Sequence, residues 1–150
     1  YVTPAQSTAI EPRQLDRLWL SLFTELKQLA TDQRFEVRSC ALRTLFKTAA
    51  THGGALPAST WSEFLWQIVA PMLAEINSSA SAAAADEFDV ELGKQGGKSV
   101  KLMVHHSRNN AQKQWADTQV LSFGGLAAML RTFYQRLAKL PRFEELWRLV

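Results

Sequence analysis

The chain has 150 residues, 47% of them hydrophobic and 21% charged, which is the composition of one soluble globular domain with a core of its own. Its formal net charge is only +3, and bases interleave with acids along most of its length, which argues against a dedicated nucleic-acid surface. The single cysteine, Cys40, excludes an internal disulfide, and the longest apolar run, Val120 to Leu130, is too short to span a bilayer.

After a loose start ending at Pro12, apolar residues fall at Leu15, Leu18, Trp19, Leu22, Phe23, Leu26 and Leu29, a helical stripe expected to face the core. The opposite face carries Arg13, Asp16, Arg17, Glu25 and Lys27, mixed in sign, where a membrane-seeking helix would be basic. The turn "ATDQRF" leads to a second helix, predicted from Glu36 to Thr51, with Val37, Cys40, Ala41, Leu45 and Phe46 turned inward. Cys40 is thus read as a buried thiol in a reducing compartment, the cytosol. Gly53 and Gly54 suit a left-handed closing residue, and His52 is placed to favour the end of the helix dipole.

Thr60 and Glu63, behind Pro57, have capping-box spacing and predict a third helix whose apolar face runs from Trp61 to Ile76 and which Pro71 bends. Residues 77–98, Ser/Ala-rich, then acidic, then Gly/Lys-rich, read as a flexible insert between helices within a single domain covering residues 1–150. "SVKLMV" alternates and is expected to lie extended in a groove between helices. A last long helix is predicted to start at a cap on Asn109 or Asn110 and run to Leu137, apolar all round in its middle, where Gly124 and Gly125 let a neighbouring helix come close. Pro141 ends it, and "RFEELWRLV" begins another helix. The chain opens on Tyr1 without an initiating Met, carries no signal-peptide pattern and closes inside that last helix, so it reads as a piece of a longer protein.

The stretch "GKQGGKSVKLMVHHS" is where chemistry would reside. A phosphate-binding P-loop needs a glycine five positions before its Gly-Lys pair, and Leu92 stands there, with no strand leading in and no apolar helix leaving. His105 and His106 are adjacent, so in an extended segment they point to opposite sides and cannot easily share a metal. Ser107 lacks the geometry of a catalytic nucleophile. The residues therefore point to no catalytic centre, cofactor or metal, and the histidines are read as hydrogen-bonding this segment onto the helices.

The most informative pattern is "DQRFEVRSCALRTLF". Asp32, Val37-Arg38, Ala41 and Leu45 reproduce the second helix of a HEAT repeat: Asp32 accepts backbone amides at the helix start, Val37, Ala41 and Leu45 pack inward, and Arg38 reaches an Asp in the turn. The expected fold class is all-α, a HEAT/armadillo-like α-solenoid segment with a disordered insert; an unrelated helical bundle is the alternative. Arg34 with Arg38, and Arg43 with Lys47, are i,i+4 pairs that can face an acidic peptide or anionic lipid headgroups.

The segment from "LWLSLFTELKQLATDQRFEVRSCALRTLF" through "WSEFLWQIVAPML" resembles the helical region downstream of the Sec-seven domain in large Arf guanine-nucleotide exchange factors and in their Sec-seven-less relative, the monensin-sensitivity family. "VHHSRNNAQKQWADTQVL" is similar to that second family through His105, His106, Ser107, Arg108, Ala111, Lys113, Gln114, Trp115 and Thr118. The resemblance implies a cytoplasmic, non-enzymatic scaffold, peripheral on trans-Golgi network and endosome membranes and active in endosome-to-Golgi and vesicular protein transport. Its implied partners are the Dopey protein, a type IV P-type flippase and an Arf-like GTPase. The rival reading is a regulatory helical domain of an Arf exchange factor. Two surfaces are candidates for partner binding: the set Arg34, Arg38, Arg43 and Lys47, and the segment with His105, His106, Arg108, Lys113, Gln114 and Trp115.

Overall fold

The computed structural model describes residues 12–86, 94–95, 98–99 and 110–148. Five α-helices are described, α1 (Pro12–Leu29), α2 (Phe35–His52), α3 (Ala58–Glu63), α4 (Ala70–Asp86) and α5 (Ala111–Leu137). A π-helical turn, Phe64–Val69, carries α3 into α4, and 3-10 segments cover Gly53–Ala55 and Phe143–Arg148. The architecture is all-α and solenoid-like: α2 packs along α5 and against α1, and α4 packs on α5.

Phe23 and Leu26 of α1, Leu42 and Leu45 of α2, Met72 and Ile76 of α4, and Leu126 and Met129 of α5 meet in one continuous core. Each such side chain contributes about 1.5–3 kcal/mol by leaving water. Aromatic rings cross-link the layers: centroid separations are 6.0 Å for Trp19–Phe23, 4.5 Å for Phe23–Phe64, 5.6 Å for Phe64–Trp61 and 5.1 Å for Trp61–Phe133. This file of rings ties α1 to α5 through α3 and the π turn.

Pro71 disturbs the third helix as its chemistry requires. It has no N–H for the carbonyl of Gln67 one turn earlier, and the helix widens into the π turn just before it, where Ala70 N–H donates to Leu65 O. Lys27 of α1 donates its Nζ to that Gln67 carbonyl at 3.3 Å, so the group left over by proline is used to hold α1.

Several expectations are corrected. Thr60 is buried inside α3 and makes no capping bond; the helix opens at Pro57, whose extended backbone already sets the entry. The helix reaches Asp86 rather than ending at Asn77, because alanine has the best helix propensity and residues 82–85 are all alanine. Within the Gly/Lys-rich stretch, β1 (Lys94–Gln95) and β2 (Lys98–Ser99) pair antiparallel, Lys94 opposite Ser99 and Gln95 opposite Lys98, so Lys98 and Ser99 do not open a helix as a phosphate cradle demands. Cys40 is exposed, not buried. Gly53 has φ −59, an ordinary right-handed value. Its glycine is required by space: a Cβ there would lie 2.4 Å from Trp61, whose Nε1 donates to Gly53 O at 3.0 Å. The middle of α5 is covered on one side only; Val120, for example, is 71% exposed.

The cap of α5 is as the sequence reads. Asn110 is extended and its Oδ1 accepts from Lys113 N–H at 2.8 Å. Asn110→Ala is expected to lower stability by about 1 kcal/mol in urea unfolding, while Asn110→Asp keeps the acceptor and stays near wild type.

Candidate functional site

The site grows from the turn between α1 and α2. Asp32 Oδ1 accepts from Arg34 N–H at 2.8 Å and from Arg34 Nε at 2.9 Å, and Asp32 Oδ2 accepts from Arg34 Nη2 at 3.0 Å. The guanidinium hydrogen bonds of Arg34, followed by its backbone N–H, hold the Asp32 carboxyl down to about 2. Asp32 thus accepts at the helix start as expected, but its carboxylate is occupied by Arg34 and leaves Arg38 to other partners.

Arg38 turns into the protein and has no exposure. Its Nη1 donates to the backbone carbonyls of Asp32 and Gln33, both at 2.8 Å, and its Nε donates to Thr118 Oγ1 at 3.0 Å. Thr118 Oγ1 in turn donates to Gln114 O at 2.7 Å. The guanidinium carbon lies 3.8 Å from the centroid of the Trp115 ring, a cation-π contact in a desolvated place. Burial pushes the Arg38 guanidinium below its ordinary value, with Asp32 and Glu36 opposing. One buried arginine therefore clamps the α1–α2 turn, α2 and the first turns of α5.

This joins the two sequence blocks, since Arg38 comes from the repeat-like block while Trp115 and Thr118 come from the second. It also corrects the docking assignment. Arg38 is an interior tie and is withdrawn as a surface contact. The Trp115 ring spends a face on Arg38 and is half-buried. Arg34 sits at the helix start, 72% exposed, and is ion-paired with Asp32. Arg43 and Lys47, one turn apart on α2, are exposed, and among the described residues neither has an ion-pair partner. Glu36 and Cys40 share their face, and Arg43 lines a shallow depression with Phe35, Glu36, Ser39, Cys40 and Thr44. Lys113 is exposed in the first turn of α5, and Gln114 is half-buried. His105, His106 and Arg108 lie outside the described residues.

Thr118 is the member of this tie that the sequence reading did not assign a role; its spacing of three from Trp115 is the signal that places both on one face of α5. Among the described residues there is no group of three or more His, Cys, Asp or Glu side chains able to hold a metal, and no helix is long and apolar enough to cross a membrane.

The model of the C-terminal region of Mon2 protein matches residues 2–150. The chain is similar to the Protein MON2 homolog of Drosophila melanogaster, 36% identical over 99% of this chain and 8% of that protein, and to the human Protein MON2 homolog, 38% identical over 88% of this chain and 7% of that protein. It is also 30% identical, over 88% of its length and 7% of the relative's, to the Monensin-resistant homolog 2 of Caenorhabditis elegans. No solved structure matches. The chain spans less than a tenth of the length of these relatives. These matches show that the chain belongs to the Mon2 family, in its C-terminal region.

Proposed function

We propose that this segment is a non-catalytic protein-docking module of a cytoplasmic trafficking scaffold, peripheral on trans-Golgi and endosome membranes and working in endosome-to-Golgi and vesicular transport. The Dopey protein is the proposed partner of first choice, with a type IV P-type flippase and an Arf-like GTPase as further members of the assembly. The observation that carries the docking surface is the state of the α2 bases. Arg34 is paired and Arg38 is buried, whereas Arg43 and Lys47 stand exposed on a packed helix with no partner among the described residues. Two cations held one turn apart on a rigid helix suit an acidic protein surface, and pairing them costs little of the fold.

The test is co-precipitation of Dopey with the full-length protein carrying Arg43→Glu and Lys47→Glu. Both positions are exposed, so folding by circular dichroism should match wild type while capture falls at least about tenfold. Undiminished capture by the folded double variant would remove this surface.

A further inference from the structure

The first helix carries a second unpartnered surface. Leu15 is 44% exposed, Leu18 58%, Leu22 43% and Leu29 45%, and these account for most of the large apolar side chains left in water among the described residues. At 3.6 residues per turn all four fall within an arc of about 60°, beside the buried face of Trp19, Phe23 and Leu26. Four leucines in register along one ridge are too many and too regular for chance exposure, since scattered single apolar residues are the norm.

From this ridge we infer a seam for the helical repeat that precedes α1 in the full-length polypeptide. Three observations select that occupant. The matched relatives are more than ten times longer, so further polypeptide lies outside this segment, and α1, which carries the ridge, is the first helix of the described residues, the one a preceding repeat would stack on. The fold is solenoid-like, and such repeats cover each other's apolar faces head to tail, with no apolar ridge left bare inside the array. The solvent-side border of the ridge is Gln14, Ser21 and Glu25, which holds an acid and no cation and so does not suit an anionic membrane. The seam is separate from the α2 face, so it stands whether or not Dopey docks there.

The test is photo-crosslinking in the full-length protein with benzoylphenylalanine placed at position 18 and, in a second variant, at position 22. Both sites are exposed, so the substitution does not invade the core. The seam yields an intramolecular crosslink from each position to a peptide preceding Tyr1, unchanged on dilution. A crosslink to a second copy, to a separate protein, to residues 1–11 or to lipid, or no crosslink from either position, overturns it.

Discussion

Arg38→Met is expected to destabilise the protein by about 3 kcal/mol, lowering the melting temperature by roughly 10 °C. Methionine fills a similar volume, so the loss measures polar contacts rather than a cavity. Replacing a buried charge by an apolar residue is often harmless when its partners are replaced as well. Here two of the partners are the backbone carbonyls of Asp32 and Gln33, which no substitution removes, and both lose a donor at 2.8 Å. The Trp115 ring loses its cation, and Thr118 Oγ1 loses a donor. Arg38→Lys does not restore the tie, because a single ammonium cannot reach two carbonyls and a hydroxyl on opposite sides while covering an indole ring. Thr118→Val should cost about 1 kcal/mol alone and much less on the Arg38→Met background. Urea unfolding of the four proteins in that cycle gives the coupling directly.

The adjacent glycines of α5 are expected to respond with opposite signs. A Cβ on Gly125 would lie 2.2 Å from Cδ2 and 2.6 Å from Cγ of Phe46, a buried ring with little room to retreat. Gly125→Ala should therefore cost about 2 kcal/mol through overpacking, offset only in part by better helix propensity. A Cβ on Gly124 meets nothing within 4 Å, so Gly124→Ala should stabilise by up to about 1 kcal/mol. Thermal unfolding of the two single variants separates close packing from backbone freedom as the reason for each glycine.

Much of the helical order is legible in the sequence because local signals carry it. Asn110 caps α5, the helix ends at Leu137, Pro71 perturbs its helix, and the inward positions Ala41, Leu45 and Phe46 follow from period alone. What escapes are features decided by partners distant in sequence. Arg38 and Thr118 are 80 positions apart, and an arginine six positions after an acid in a turn, and one turn after Arg34, reads locally as reaching back to that acid or facing outward with its basic neighbour. The same blindness places Cys40 inside, since an apolar stripe does not say how far round a helix its neighbours reach. On α1 it marks a continuous core stripe where the fold covers Trp19, Phe23 and Leu26 and leaves the leucines beside them bare. A close approach at Gly125 follows in kind from the sequence, yet Gly124 has the same local credentials and a Cβ there would meet nothing within 4 Å. The capping box at Thr60 and Glu63 matches a spacing that backbone geometry at Pro57 makes unnecessary.

The proposal that Arg43 and Lys47, exposed on the α2 face away from the buried Arg38, dock an acidic partner is tested most directly by titrating Dopey against the full-length protein at increasing salt. Charge-led docking predicts that wild-type affinity falls steeply with ionic strength, and that the folded Arg43→Glu, Lys47→Glu protein binds weakly with little or reversed salt dependence. Equal affinity and equal salt dependence for the two proteins would contradict it.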